Sequence, residues 1–375
     1  MAYARKTMVV KIGSSTLVDA ANGIRREFIS DLAAQAQSLA RMGWNLVVVS
    51  SGAIACGYPD LGFSERPQDM PSLQAAASVG QCKLSAVYDE EFAAQGLKTS
   101  LVLLSRHDTA RRSSYLHARD ALMRLVELGV VPVVNENDVT AVDEIRFGDN
   151  DTLAALVSCL VGADLCVTLS DIDGLYTANP HTTPDAVLIP RVEHIDARII
   201  GSAGDSSSAV GTGGMITKIR ASRILMTAGI ASVICSGAEN APLPRIAAGE
   251  PVGTLFVPPQ SAQGIAPRKL WIALGDGAHG TLVVDEGASS AIVRGGSSLL
   301  PVGIVSVEGS FERGDVLDIK DRDGLVIARG RVEASRDELD LARGRRQDEI
   351  SANHLLARLA GKPAVHRDEM IVFAQ

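Results

Sequence analysis

The stretch that decides the fold is MVVKIGSS, residues 8–15. Its first five residues are apolar except for Lys11, and its last three are small. A short apolar run that ends in glycine and serine predicts a buried strand followed by a turn. Small residues in such a turn let backbone N–H groups approach an anion closely.

Lys11 is the first candidate functional residue, because it interrupts this apolar run. Burying an ammonium group is costly unless an anion offsets its charge. An isolated lysine at a strand end more often extends its side chain into solvent. The glycine and the two serines that follow favour the other interpretation, in which Lys11 lies beside a bound phosphate or carboxylate.

Beyond this strand the sequence alternates between helical and strand patterns. Apolar residues at near-helical spacing predict a helix over residues 25–42, and residues 46–49 predict a second strand. Further strands are predicted at residues 99–104, 130–134, 165–169 and 231–235, and further helices at residues 115–128, 151–161 and 218–227. The alternation predicts an α/β fold with a mainly parallel sheet, which binds ligands beyond the carboxyl ends of its strands.

The composition changes between residues 238 and 269, where prolines accumulate. This change predicts a domain of residues 1–257, a linker of residues 258–274 and a second domain of residues 275–375. Short β-like runs at residues 280–284, 303–307, 316–320 and 326–332 predict that the second domain is small and rich in β-structure, with a closing helix near residues 350–359.

Charge and motif content exclude several classes of function. The net charge is -8 and the sequence pI is about 5.4, so the chain as a whole offers no basic surface for nucleic acid or membrane. The sequence contains no GxxxxGK[ST], HExxH or GxSxG motif, and no GxGxxG that follows a predicted strand as a dinucleotide site requires. The five cysteines are dispersed without a CxxC pair, and no apolar run is long enough to span a membrane. We therefore expect a cytoplasmic protein.

Three kinds of polar segment remain as candidate site elements. Ser50-Ser51-Gly52 follows the second strand and either caps a helix or holds an anion. The segment 212–218, TGGMITK, places Lys218 near a helix N-terminus, where a cation is unfavourable by ~0.3–1 kcal/mol unless a polyphosphate binds there. A surface glycine loop is the alternative. The acidic and amide clusters at residues 135–138, 148–151 and 170–174 are either turns or ligands for an amino acid and its metal.

Taken together, these segments resemble the amino acid kinase family, and within it the branch that phosphorylates glutamate. The resemblance covers about residues 7–373. It rests on residues 10–15, 50–54, 135–138, 148–151, 173–176 and 211–215, and the later stretches 284–288 and 296–301 resemble a PUA domain. It implies a three-layer αβα sandwich with a mainly parallel central sheet, followed by a small β-rich PUA domain.

The resemblance also implies an activity and its site. The activity is magnesium-dependent transfer of phosphate from ATP to the γ-carboxylate of L-glutamate, which gives L-glutamyl 5-phosphate in the first step of proline biosynthesis. Lys11 and Lys218 would neutralise the transferring phosphoryl group, and Asp151 would hold both lysines. L-Glutamate would be bound by Ser51, Asp138 and Asn150. The ATP site would be lined by Lys11, Ser170, Asp171, Thr212, Gly213, Gly214, Met215, Ile216, Thr217 and Lys218, and no protein ligand of Mg²⁺ is assigned.

Family members are often dimers or tetramers and are commonly inhibited by L-proline, so we expect a homo-oligomer that proline regulates. Two alternatives stay open. Relatives in the same family phosphorylate acetylglutamate, aspartate or a nucleotide monophosphate, although those enzymes usually lack the second domain. PUA domains elsewhere bind RNA, but residues 277–375 carry 13 Lys and Arg against 16 Asp and Glu, which disfavours binding to phosphate.

Overall fold

The structure is a computed structural model that describes residues 5–19, 23–105, 112–140, 150–180, 182–202, 214–260, 269, 272–273 and 278–373. The chain divides into two compact units, Met1–Glu193 with Arg198–Gly264 and His194–Ala197 with Ile265–Gln375. The domain boundaries expected from composition stay a prediction, because most of the proposed linker lies outside the described residues.

The first unit contains an α/β arrangement of strands and helices. Its strands are β1 (Lys6–Ile12), β2 (Val18–Asp19), β3 (Gly23–Ile24), β4 (Trp44–Val49), β5 (Lys98–Leu104), β6 (Val130–Glu136), β7 (Leu165–Ser170), β8 (Arg191–Val192), β9 (Ala231–Ser236) and β10 (Thr254–Phe256). Its helices are α1 (Ser14–Leu17), α2 (Arg26–Arg41), α3 (Ala53–Gly57), α4 (Met70–Ala94), α5 (Arg112–Glu127), α6 (Asn150–Val161), α7 (Ala197–Ser202), α8 (Met215–Thr227) and α9 (Pro242–Ala247). A 3-10 turn covers Pro59–Leu61.

One sheet of eight strands forms the centre of this unit, in the order β5-β6-β4-β1-β7-β9-β10-β8. Its neighbouring strands run parallel except for β10, which runs antiparallel to β9. The mainly parallel sheet predicted from the alternating pattern is therefore confirmed. Each predicted strand of residues 1–257 has an observed counterpart whose ends differ by at most two residues.

Helices cover both faces of the sheet, as the alternating side chains of β1 show. Met8, Val10 and Ile12 are fully buried in one hydrophobic core together with residues of α2 and α4. Because successive side chains of a strand point to opposite faces, Lys11 points to the other face, where α6 packs against β1. Helices α5 and α8 pack against α6 on that same face. The expected three-layer αβα sandwich is confirmed.

Helix α4 was not predicted from the sequence, although it is the longest helix among the described residues. Its N-terminus is capped by Asp69, whose carboxylate accepts a hydrogen bond from the backbone N–H of Ser72 at 2.9 Å. Helix α4 packs closely on α3 at Gly80 and Gly57. A Cβ at Gly80 would lie 1.8 Å from the Ala53 backbone oxygen, so the contact requires glycine.

The second unit contains a five-stranded sheet with its own hydrophobic core. Its elements are β11 (Gly280–Val284), α10 (Glu286–Val293), β12 (Ile304–Gly309), β13 (Val316–Lys320), β14 (Val326–Val332), α11 (Arg336–Ala342), α12 (Gln347–Ala352) and β15 (Val365–Val372). The sheet order is β12-β11-β13-β14-β15, and β11 and β13 are the parallel pair. Side chains from all five strands meet in one buried cluster. The predicted small β-rich domain is confirmed.

The closing helix predicted near residues 350–359 is wrong. Helix α12 ends at Ala352, because the Asn353 side chain accepts a hydrogen bond from the Leu355 backbone at 3.0 Å and begins a 3-10 turn instead. The last element of the described chain is β15, which the sequence pattern did not predict. Within the described part of the chain, no helix combines the length and apolar character needed to cross a membrane.

Candidate active site

The carboxyl ends of four neighbouring strands bring the predicted site residues together. Lys11 of β1 is in register with Val49 of β4 and with Thr168 of β7, and Val49 is in register with Val134 of β6. The polar segments that follow β4, β6 and β7 therefore begin at the same edge of the sheet, next to the end of β1. This is the edge at which ligands bind in open α/β sheets.

Two lysines and one aspartate form a buried charge cluster at this edge. The Lys11 Nζ lies 2.8 Å from the Asp151 Oδ1, and the Lys218 Nζ lies 3.5 Å from the Asp151 Oδ2. Lys11 is 6% exposed, Lys218 is 7% exposed and Asp151 is 2% exposed. Thr217 also donates to the Asp151 Oδ2 at 2.6 Å. The predicted catalytic trio is thus assembled from β1, α6 and α8.

Electrostatics in this cluster favour the ionised form of the carboxylate. Burial alone would raise the pKa of Asp151, but the neighbouring ammonium groups of Lys11 and Lys218 and the hydrogen bond from Thr217 hold its pKa well below the usual range. Burial lowers the pKa of Lys218, and the attraction of Asp151 opposes that effect. The charge of Asp171 also favours the ionised form of Lys218. Two ammonium groups thus lie within 3.5 Å of one carboxylate, an arrangement that suits the binding of a phosphoryl group.

The predicted ATP-binding residues on β7 and α8 lie next to this cluster. Ser170 ends β7 and donates to the carboxylate of Asp171 at 3.0 Å. Met215, Ile216, Thr217 and Lys218 form the first turn of α8, which begins three residues before the predicted start. Gly214 precedes the helix, and its carbonyl oxygen lies 2.8 Å from the Thr217 hydroxyl, so it shares the single hydrogen of this hydroxyl with Asp151. Thr212 and Gly213 lie outside the described residues.

The predicted acceptor-binding residues Ser51 and Asn150 are in direct contact. The side-chain nitrogen of Asn150 donates to the Ser50 carbonyl oxygen at 2.7 Å and to the Ser51 hydroxyl at 3.1 Å. The Oδ1 of Asn135 lies 3.1 Å from the same nitrogen, so the two N–H hydrogens of Asn150 are shared among these three acceptors. Asn150 is the first residue of α6, so it precedes Asp151 directly and links the acceptor residues to the charge cluster.

Two residues of this network were not among the predicted site residues. Asn135 closes β6 and donates to the Oε1 of Gln81 at 2.7 Å, and both side chains are buried. Asn135 stood in an amide-rich cluster of the sequence, which was a usable signal. Gln81 lies within helix α4, and no local sequence pattern marks it as part of a site.

Asp138 lies in the turn after β6, separate from the contacts of Ser51 and Asn150. No hydrogen bond joins Asp138 to those two residues within the described part of the chain. The turn is held by Gln74 of α4, whose side-chain nitrogen donates to the Val139 carbonyl oxygen at 3.0 Å. Burial raises the pKa of Asp138 to about 6, and the nearby charge of Arg66 lowers it in part.

No three His, Cys, Asp or Glu side chains cluster as possible metal ligands within the residues that the structure describes. Magnesium that accompanies a nucleotide usually takes phosphate oxygens, waters and one or two carboxylates as ligands, so it does not require such a cluster. The single carboxylate of Asp171 beside Ser170 is compatible with that type of binding.

Comparison with known proteins agrees with this geometry. Residues 6–236 match the model of the amino acid kinase family, and residues 280–353 match that of the PUA domain. The chain is 43% identical to a glutamate 5-kinase of Geobacter sp. (strain M21), with 98% of this chain and 97% of that protein covered. It is 46% identical to a glutamate 5-kinase of Pseudomonas aeruginosa (strain UCBPP-PA14), with 97% of both chains covered. The chain belongs to the amino acid kinase family, with a PUA domain after the kinase domain.

Proposed function

We propose that the chain transfers the γ-phosphoryl group of ATP to the γ-carboxylate of L-glutamate. The product is L-glutamyl 5-phosphate, and the reaction is the first step of proline biosynthesis. The observation that carries the proposal is the pair of buried ammonium groups, Lys11 and Lys218, that share one buried carboxylate at the binding edge of the sheet. The relatives named glutamate 5-kinase support the choice of acceptor.

The charge cluster suits phosphoryl transfer because this reaction depends on alignment and on stabilising charge. Lys11 and Lys218 would stabilise the negative charge of the equatorial oxygens of the transferring group, while Asp151 fixes their positions. Removing one preorganised donor of this kind typically costs ~10²–10³ in turnover. A γ-carboxylate is ionised at neutral pH, so the acceptor needs no general base.

The two substrates would occupy opposite sides of this cluster. Ser170, Asp171 and the segment 212–218 would hold ATP beside β7 and α8. Ser51 and Asn150 would hold the acceptor beside β4 and α6, and the ionised carboxylate of Asp138 would attract its ammonium group. The carboxylate of Asp171 would be available to hold Mg²⁺ bound with ATP, and the metal would reduce the negative charge of the phosphates.

A trapping assay with hydroxylamine tests the reaction directly. Acyl phosphates react with hydroxylamine to give hydroxamates, so the purified chain with ATP, Mg²⁺ and L-glutamate should produce a hydroxamate in proportion to ADP. L-Aspartate and N-acetyl-L-glutamate serve as competing acceptors in parallel reactions. A hydroxamate formed from one of these acids, with none from L-glutamate, would overturn the assignment of the acceptor.

We also propose that the active form is a cytoplasmic homo-oligomer and that L-proline inhibits it. The oligomeric state and the inhibition rest on the family resemblance, and the free, mostly buried cysteines suit a reducing compartment such as the cytoplasm. Sedimentation of the purified chain tests the oligomeric state. The hydroxamate assay repeated over a range of L-proline concentrations tests the inhibition, and an unchanged rate at millimolar L-proline would contradict it.

A further inference from the structure

Gln81 is a buried polar residue of helix α4 for which the proposed reaction gives no role. Its side chain is 8% exposed. The Oε1 accepts a hydrogen bond from the Nδ2 of Asn135, while the Nε2 is buried and has no hydrogen-bond partner within the described part of the chain. A buried donor without a partner is unfavourable by about 1–3 kcal/mol. A buried glutamine at this position therefore calls for an explanation.

The hydrogen bonds fix the orientation of three side-chain amides in sequence. The carbonyl oxygen of Ser50 can only accept, so the nitrogen of the Asn150 amide must face it. The same nitrogen donates to Asn135, which must therefore present its oxygen to Asn150. The nitrogen of Asn135 consequently faces Gln81 and requires an acceptor there. The Oε1 of Gln81 supplies that acceptor and ends the chain of amides.

Helix α4 holds both ends of this chain of amides. Tyr88, two turns after Gln81 on the same helix, hydrogen-bonds through its hydroxyl to the Ser50 hydroxyl at 3.2 Å. Gly80, the neighbour of Gln81, lies in the close contact with Gly57 that sets the distance between α4 and α3. The position of Gln81 relative to Asn135 is thus set by backbone packing, which leaves the side chain little freedom.

We infer that Gln81 is a positioning residue for the acceptor, acting through Asn135 and Asn150. Its oxygen holds the Asn135 amide in one orientation, and Asn135 in turn holds the Asn150 amide that contacts Ser51. Without Gln81 the nitrogen of Asn135 lacks an acceptor, so no hydrogen bond at that end holds the Asn135 amide in one orientation. The inference rests on the proposed function, since it assumes that Ser51 and Asn150 bind the carboxylic acid acceptor.

The test compares Gln81→Met, which has a similar length but no amide, with the wild type under the hydroxamate assay. We expect the KM for the acceptor to rise about tenfold, because this factor corresponds to the free energy lost when one buried polar group is left without a hydrogen-bond partner. The KM for ATP should change less than twofold, because the nucleotide residues lie on β7 and α8. Gln81→Asn keeps an amide but withdraws it by one methylene, and it should show the same selective rise even if the methionine variant does not fold.

A matched control separates positioning from stability. Gln35→Met also removes a buried glutamine, whose oxygen accepts from the Leu243 backbone at 3.0 Å and whose nitrogen donates to Asp31 at 2.7 Å. Helix α2 carries Gln35, away from the acceptor residues, so this control should lower the unfolding midpoint and leave both KM values unchanged. If Gln81→Met and Gln81→Asn leave the acceptor KM unchanged, as the Gln35→Met control should, the inference is overturned.

A double-mutant cycle tests the route through Asn135. If Gln81 acts through Asn135, then Asn135→Ala and the double variant with Gln81→Met should have the same acceptor KM. If the double variant instead shows an increase in acceptor KM equal to the product of the two single increases, this route is refuted. The wild-type rate with L-glutamate tests the proposed function separately, because the same ratios can be measured with whichever acid proves to be the acceptor.

Discussion

Replacing Asp151 by asparagine should destabilise the free protein and make nucleotide binding restore much of that loss. The substitution keeps the shape of the side chain but removes the single negative charge shared by Lys11 and Lys218, whose nitrogens lie 2.8 and 3.5 Å from its oxygens. All three side chains are buried, so water cannot replace the carboxylate. Without nucleotide, the variant would therefore hold two neighbouring ammonium groups that have lost the carboxylate they share, and the charge of Asp171 would still act on Lys218.

The size of the effect follows from this geometry. At an effective dielectric constant of about 20, each ammonium–carboxylate attraction is roughly 5–6 kcal/mol before desolvation is subtracted. Measured losses on removing one member of a buried ion pair are about 3–5 kcal/mol. For a domain of this size, that loss lowers the unfolding midpoint by about 6–10 °C. Turnover should fall by ~10²–10³, because the lysines are no longer held in place.

Thermal unfolding with and without ATP and Mg²⁺ checks the reasoning. The polyphosphate would supply the missing negative charge, so the midpoint of Asp151→Asn should rise more on adding ATP than that of the wild type. Asp318→Asn is the control, since it breaks an ion pair with Arg329 in the second unit and should leave turnover and the ATP response unchanged. A smaller ATP-induced rise in Asp151→Asn than in the wild type would refute the account.

Four further predictions concern the site and the residues that support it. Lys11→Ala and Lys218→Ala should each remain folded and lose ~10²–10³ in kcat, and near-normal turnover in either variant would remove its assigned role. Because the pKa of Asp138 is raised to about 6, the acceptor KM should increase about tenfold per pH unit below pH 6, and Asp138→Asn should abolish that dependence. Folding disfavours the charged form of Asp138, because its pKa is higher in the folded than in the unfolded chain. The folded protein should therefore lose stability as the pH rises from about pH 4 to pH 6, with no further loss above pH 6. Asp138→Asn should accordingly raise the unfolding midpoint at pH 7.5. Gly80→Ala places a Cβ 1.8 Å from a backbone oxygen of α3 and should lower stability by about 1–3 kcal/mol, whereas Gly201→Ala, with open space around it, should not reduce stability in the same denaturation series.

Local patterns in the sequence predicted the parts of the site that follow strands. Lys11 stands out because a charge interrupts an apolar run, and Lys218 stands out beside two glycines. Since both features lie at the carboxyl ends of strands or at the start of the next helix, the α/β topology alone places them at one edge. The amino-acid sequence therefore indicated which residues meet at this edge, but it did not predict the distances between the two lysines and Asp151.

The contribution of α4 depends on tertiary packing, which explains why sequence patterns missed it. Its buried residues recur at helical spacing, but they include Gly80, Gln81 and two alanines, and further alanines and valines lie outside them, so the apolar stripe is weak in the sequence. In the sequence Gln81 therefore looks like an ordinary helix residue. It reaches Asn135 only because of how α4 packs beside β6. Strand β15 was missed for a different reason: its middle residues, HRDE, are charged or polar and hide the alternation of a half-buried strand.

The glycines at positions 57 and 80 restrict which substitutions this sequence can accept during evolution. A side chain at Gly57 would overlap a backbone oxygen of α4 at 1.9 Å, and one at Gly80 would overlap a backbone oxygen of α3 at 1.8 Å. Backbone atoms are not exchanged by mutation, so no second substitution restores the space unless a whole helix moves. One of these helices begins beside Ser51 and the other carries Gln81. In a random library selected for acceptor turnover, both glycines should persist while buried positions nearby, such as Leu84, exchange among residues of similar volume.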